Sequence, residues 1–566
     1  MKRRLLPILM TLVLVCALPI WAAFVTSGDV TNPLVCTAWA DTAEGERNSG
    51  TTQETFTEVT DETTLKKAVA DGKSVRMTQD ITLTSSLCIE KAVTLDMDGH
   101  VLTRMHTYEY DMVVIRSDAT LTLIDSNTGN LQHRFNAGET GWTKAADNAT
   151  GDGIVTVTGG VIYGDAGRSI INPCGIKILK GKLEMYGGSI VGIRNVYNAN
   201  GGGVYVSDQC TFNMYGGSIK GCYVFSDGGG VYVAAGGTFT MSGSSAITNC
   251  KGSRGGAVYN AGTFTMRDNS HIADCIYNSS IASGGGVHNK GTFTVEGGSI
   301  TGSVNDHNRE QSSDDICNEN KLDVSEGITI SCNVNVGYGG TISKGTFTGR
   351  VWIFWEGTIL GGTFTNEVIN YEGTIKAGEF TGEVTNTSGG TISGGTFDKN
   401  VANESGATIS GGTFNENVTN KTNATLNGGI FYGGVTNDGG KIEDGAYETV
   451  KFNSDNGAQA KEEKVLRGQK VAKPTDDPTK SGYTFIGWED ADGAYDFSKS
   501  VTAPLTLTAK WEKNPSSGGY YYYPTTDTKA DDTKGSPKTA DPGVALYGVL
   551  SLLSLTGMVA LNGKKR

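Results

Sequence analysis

The sequence predicts an all-β chain: a right-handed parallel β-helix followed by a short-period β-solenoid. Two internal repeats and the composition carry this expectation. In the second half, the Ile of a "TI" pair recurs at Ile342, Ile359, Ile375, Ile392, Ile409, Leu426 and Ile442, in steps of 17, 16, 17, 17, 17 and 16. The Phe of "GTF" (Phe347, Phe364, Phe380, Phe397, Phe414, Phe431) and a Val (Val351, Val368, Val384, Val401, Val418, Val435) keep the same beat. In the first half, Ile176, Val204, Val231, Val258 and Val287 recur in steps of 28, 27, 27 and 29. Each long unit holds three short runs, such as "VYV", "TFTM" and "GSI". Three short strands per coil, punctuated by Gly, is the signature of a parallel β-helix, and parallel crossovers are almost always right-handed. Gly at 80 of 566 residues fits an extended β rod better than one compact core.

The chain opens with "MKRRLLPILMTLVLVCALPIW", where Lys2, Arg3 and Arg4 precede an apolar run. This is a secretory signal peptide, assigned to 1–40. Cleavage after "AWA" at 38–40 leaves Asp41 first, and a site near Ala22 or Ala23 is the alternative. The residues before Cys16, "LVLV", lack the small residues of a lipoprotein box. A linker is assigned to 41–56.

The β-helix is assigned to 57–338. Its opening, "DETTLKKAVADGKSVRMTQDITLTSSLCIEKAVTLDMDGHVLT" at 61–103, reads as a short amphipathic helix followed by strands. The units "GG-x-V-Y" and "G-T-F-T-M-x-G-G-S-I" resemble the repeats of bacterial surface proteins with a pectin-lyase-like β-helix. The resemblance implies that the helix covers the first open coil, whose edge would otherwise be unpaired. It implies nothing specific about activity, since lyases, hydrolases and adhesins share the fold. An insertion is expected near 131–152. Cys222, Cys250 and Cys275 each stand three residues after the Ile of their repeat and should stack as neighbours. A core ladder of thiols is expected, because in-register side chains point the same way and make poor disulfide geometry; an oxidised pair and zinc binding are the alternatives.

The short-period solenoid is assigned to 339–447. A unit this small cannot bury its own apolar face, but it can when stacked on its neighbours. At ~4.8 Å per coil its seven coils make a rod of roughly 33 Å. Asn370, Asn386, Asn403, Asn420 and Asn437 fall two residues after the repeated Val and are expected to form a hydrogen-bonded amide ladder, not a ligand row. Thr341, Thr358, Thr374, Thr391, Thr408 and Thr425 are read as a solvated outer row, with an ice-binding array as the alternative.

Residues 448–513 break the beat. "VKFNSDNG" from Val450, "KPTDDPTKSGYTFIGW" from Lys473, "YDFS" from Tyr495 and "LTLTAKW" ending at Trp511 resemble the Listeria–Bacteroides repeat, or B-repeat. The resemblance implies a small β-grasp-like module serving as spacer or adhesive element. Tyr483, Phe485, Trp488 and Trp511 are expected to be its small core, with a sugar platform as the alternative.

A spacer rich in Ser, Gly, Pro, Thr, Asp and Lys is assigned to 514–535. The end, 536–566, resembles the cell-wall sorting signal of Gram-positive surface proteins: a motif, an apolar span at 544–561 and a basic tail, Lys564, Lys565 and Arg566. The motif is Ser536, Pro537, Lys538, Thr539, Ala540, with Ser536 in place of the usual Leu and Ala540 in place of Gly. The resemblance implies that a sortase attacks the Thr539 carbonyl and transfers the chain to peptidoglycan. A plain membrane anchor is the alternative, since 18 mostly apolar residues just span a bilayer.

The formal charge of −13 argues against nucleic acid as partner. Asp96 and Asp98, read as sharing one strand face beside His100, and the pair Asp314–Asp315 are the only candidate catalytic carboxylates. They form no recognisable constellation, so no catalytic residue, metal or cofactor is expected. The expectation is an adhesin-like, wall-anchored protein that binds a host glycan, matrix protein or neighbouring cell. A polysaccharide lyase, a glycoside hydrolase and a bare structural stalk are the competing readings. The loops at 131–152 and 303–320 are the expected binding elements, because function concentrates in loops on a rigid scaffold.

Overall fold

The computed structural model describes residues 55–515, apart from 106–109, 128–130, 139–141, 165–173, 196–198, 279–282 and 306–314. The signal peptide, most of the 41–56 linker, nearly all of the spacer, the sorting motif Ser536–Ala540 and the apolar span 544–561 lie outside the described residues. Among those described, no helix is long and apolar enough to cross a membrane.

The chain winds into one continuous parallel β-solenoid. Sheet I has 15 strands, from Leu87–Ile89 to Val435–Asp438, and sheet II has 17, from Thr57–Val59 to Lys441–Ile442. Both run through the long and the short coils without a break. At ~4.8 Å between strands, sheet I alone is roughly 67 Å long. Inward columns alternate with outward ones, as the period-2 pleat requires. One core therefore extends from Val59 to Ala446.

The long coils carry two further walls. Sheet III has 8 strands ending at Ser299–Thr301, and sheet IV is a stack of five two-residue strands from Arg194–Asn195 to Val304–Asn305. The three-run reading of the sequence missed sheet IV, because two residues leave no alternation to detect. In the short coils, sheets III and IV give way to sheet V, seven two-residue strands from Thr329–Ile330 to Ile430–Phe431. The shortening begins before the expected boundary at 338/339. Val287 pairs with Ile316, a full long coil further on, whereas Ile316 pairs with Val334, less than two thirds as far along the chain. That boundary therefore separates two coil lengths within one body.

The two Phe ladders stand on different walls. Phe212, Phe239, Phe264 and Phe293 stack in sheet II with ring centroids 4.7–4.9 Å apart. Their column continues through Leu322 into Ile342 and Ile359. The second ladder, Phe347 to Phe431, stacks in sheet V at 4.7–5.2 Å.

Both ends are covered. Helix Glu62–Asp71 lies over the first coils and buries Leu65, Ala68 and Val69. Asp61 caps it by accepting from Thr64 N, and Gly72 (φ 79°) ends it in the left-handed region that glycine adopts without steric cost. At the other end, Phe431 N donates to Arg467 O at 2.8 Å, so the 448–513 module meets the last coil directly. The module is a five-stranded mixed sheet in which Tyr447–Asn453 runs parallel to Leu505–Lys513 and antiparallel to Lys461–Leu466. Val450, Phe452, Trp488, Leu507 and Ala509 form its core; Phe485 and Trp511 pack against it, and Tyr483 is exposed.

Candidate functional site

The Asn ladder is a chain of amide-to-amide hydrogen bonds. Nδ2 of Asn370, Asn386, Asn403 and Asn420 donates to Oδ1 of the next Asn, through Asn437, at 2.7–2.9 Å. The same sheet I column also holds an earlier ladder that sequence reading missed: Asn260 donates to Asn289, and Asn289 to Asn318, each at 2.7 Å. Val336 and Ile353 separate the two. Asn370 therefore begins a stack, and its buried Oδ1 has no hydrogen-bond partner. All of these amides but the last, Asn437, which is exposed, face the core and present nothing to a ligand.

Cys222, Cys250 and Cys275 are fully buried on successive coils, and none is in a disulfide. Their thiols point to carbonyl oxygens of Lys220, Thr248 and Ala273 at 3.3–3.6 Å. Burial pushes Cys222 and Cys250 well above the ordinary thiol range, which makes them poor nucleophiles.

Two of the candidate carboxylates, Asp96 and Asp315, are tied into buried hydrogen bonds. Asp96 is buried, pairs with Arg76 Nε at 2.8 Å, and accepts from Ser126 N (2.9 Å), Ser126 Oγ (2.7 Å) and Asp98 N (3.1 Å). Asp98 does not share its strand: the strand ends at Asp96, and Asp98 sits in the following turn at φ 44°. His100 Nδ1 lies 3.6 Å from Asp80. Asp315 is buried and accepts from Ser303 N (3.0 Å) and Asn333 N (3.2 Å), while Asp314 lies outside the described residues. Every lone pair these bonds occupy is unavailable for acid–base work.

The insertion folds into an antiparallel three-stranded sheet, Gln132–Asn136, Thr143–Lys144 and Ile154–Thr158. Phe135, Trp142 and Val157 pack on Val101, Val161, Tyr163 and Val191 on the outside of sheet III. A cavity of about 430 Å³ opens beside it, lined by Asp80, Thr82, Thr103, Lys144 and Tyr163 among others. Lys144 Nζ is 3.7 Å from Asp80, and Lys144 N donates to Tyr163 Oη at 2.8 Å, so the lining is polar and largely self-paired.

The most distinctive outer surface lies elsewhere, at the turn leaving sheet I. On three successive coils this corner carries Tyr338, Trp355 and Tyr371, each 39–51% exposed, with Phe354 between them. Tyr338 and Trp355 are 4.8 Å apart, and Phe354 is 5.8 Å from Trp355 and 6.0 Å from Tyr371. The next coils place Thr387–Ser388, Glu404–Ser405 and Lys421–Thr422 there. The backbone is also unusual. Tyr338 (φ 50°), Trp355 (φ 36°), Glu356 (φ 68°) and Glu372 (φ 64°) are left-handed; later coils carry the smaller Ser388 at the position of Tyr338 and Trp355, and Gly389, Gly406, Asn423 and Gly439 at that of the two Glu. Such residues cost about 1–3 kcal/mol each and persist where the surroundings hold them. Glu356 and Glu372 put exposed carboxylates beside the rings. The repeats contain the signal, since these coils depart from the Gly/Ser/Thr consensus, but a search for what recurs passes over it.

Residues 449–510 match the family model described as the Listeria-Bacteroides repeat domain. No curated protein and no solved structure matches the chain. Listeria–Bacteroides repeats occur in extracellular surface proteins. Together with the strand-rich repeat solenoid, the match fits a surface-associated protein.

Proposed function

We propose that this chain is an adhesin-like rod of the bacterial cell surface that binds glycan without turning it over. The observation that carries the reading is the aromatic corner of Tyr338, Trp355 and Tyr371. Contiguous exposed apolar surface on a soluble protein commonly marks a binding site. A pyranose ring offers C–H groups to an aromatic face and hydroxyls to flanking carboxylates, the two chemistries that the corner juxtaposes. The negative flank of Glu356 and Glu372, on a chain of net charge −13, favours neutral or amino sugars over sulfated or uronic ones. The C-terminal sorting-signal resemblance supports tethering to peptidoglycan through Thr539, with the solenoid projecting outward.

The test is binding and sugar release in the same wells, with neutral, amino and sulfated polysaccharides. Wild-type protein should retain neutral or amino polysaccharide with no new reducing ends, and Trp355→Ala together with Tyr371→Ser should lose it. Released sugar would replace this reading with an enzymatic one. Undiminished binding in the double variant would move the site to the cavity beside the insertion.

A further inference from the structure

The outward column of sheet I in the long coils is an aromatic stack: Tyr205, Tyr232 and Tyr259, with centroids 5.1 Å apart. The fourth coil breaks it with His288, which lies 5.2 Å from Tyr259 and nearly parallel to it. The next rung in register is Cys317. Two positions further along that strand's run, Glu319 points to the same side. This spot is also where the long coils give way to the short ones.

Although it faces outward, His288 is fully buried; its Nε2 meets the Glu319 carboxylate, and its Nδ1 has no hydrogen-bond partner among the described residues. A buried imidazole nitrogen without a partner is costly. Cys317 is 3% exposed and in no disulfide, and the Glu319 side chain is 11% exposed. Donor atoms of all three residues lie within 4.8 Å of one another. His288 Nε2 and Glu319 Oε1 are 3.3 Å apart. Nitrogen and oxygen ligands held ~2.0–2.2 Å from a tetrahedral ion stand roughly 3.3–3.5 Å from each other. The other carboxylate oxygen, Oε2, meets Lys290 Nζ at 2.9 Å, so Lys290 orients the carboxylate and leaves Oε1 to the ion.

We propose that His288, Cys317 and Glu319 bind one zinc ion, which clips the last long coil to the first short one. A mixed nitrogen, sulfur and oxygen set suits Zn²⁺, with a water in the fourth position. On binding, the Cys317 thiol gives its proton to solvent and the imidazole stays neutral. The thiolate and carboxylate then balance the two positive charges. No oxidation state changes.

The test uses the full secreted chain, stripped with chelator and titrated with Zn²⁺ or Co²⁺. The wild type should take one equivalent of Zn²⁺, and Co²⁺ should give a thiolate-to-metal charge-transfer band. The key variant is His288→Tyr. It restores the residue of the three preceding coils, so the stack is kept while a ligand is lost. The band should vanish in His288→Tyr and in Cys317→Ser, and persist in Cys88→Ser, a thiol on a distant coil. No band in the wild type, or a band that survives both ligand variants, would overturn the proposal.

Discussion

The backbone amide of Phe431, the last ring of the sheet V ladder, donates to the carbonyl of Arg467, just past the module's second strand, at 2.8 Å. The Gln469 side chain adds a bond to the Phe431 carbonyl, and Arg467 Nε pairs with Glu448 at 2.6 Å. The module therefore closes the exposed end of the solenoid, besides lengthening the rod. An open final coil is a template for edge-to-edge pairing. A chain ending at 447 is expected to form oligomers in light scattering at concentrations where the full chain is monomeric. A monomeric truncated chain of equal thermal stability would show that the cap is dispensable.

The Asn ladder should respond to substitution by position and not by residue type. Asn403→Val leaves a buried donor on Asn386 and a buried acceptor on Asn420 without partners. That should cost about 2–3 kcal/mol in denaturant unfolding. Asn370→Val removes an amide whose own oxygen is already unpaired and extends the Val336–Ile353 column by one. Its cost should stay below about 1 kcal/mol. Equal effects at the two sites would contradict the chain of bonds.

Asp96 sets an acid limit on the first coils. Burial opposes its charge, but the bonds from Ser126, Arg76 and Asp98 outweigh burial and hold the carboxyl below its ordinary value. A depressed folded pKa contributes stability that is present above the unfolded value and lost as pH falls through the folded one. The wild type should therefore lose stability as pH drops below the usual carboxylate range of about 4. Asp96→Asn should be less stable at pH 7 by about 2–3 kcal/mol, because Arg76 keeps some solvent, and should lose less on acidification. Parallel pH curves for the two proteins would sink the assignment.

The aromatic corner carries strain that a glycine would relieve. Glu356→Gly should raise stability by about 1 kcal/mol, since φ 68° costs glycine little. If the carboxylate serves sugar binding, the same change should weaken retention of neutral polysaccharide. Thermal melts and binding on one preparation separate the two effects. A destabilised Glu356→Gly would mean that the turn is not strained.

Repeat spacing made the columns legible: the Ile, Phe, Val and Asn positions that recur in sequence are the ones that stack in register. Their wall assignment was not legible, because Phe212 and Phe347 both follow a Thr in a short strand yet stand in sheets II and V. The Asn260–Asn318 ladder spans only three coils and follows Val206 and Val233 in the same column, too few rungs to stand out as a repeat although its two steps are equal. The sites had the opposite problem. Trp355 and His288 matter by departing from a consensus, and a repeat search discards departures.

Because sheets I and II present the same hydrogen-bonding edge on every coil, a rung can be removed or duplicated and the flanking rungs still mate. Short coils of similar amino-acid sequence invite unequal recombination in the gene that encodes them. Each event would change the reach of the rod by ~4.8 Å while leaving the capped ends, the strained corner and the coil junction untouched. Height above the cell could then drift between strains as a copy-number trait, independently of what the protein holds.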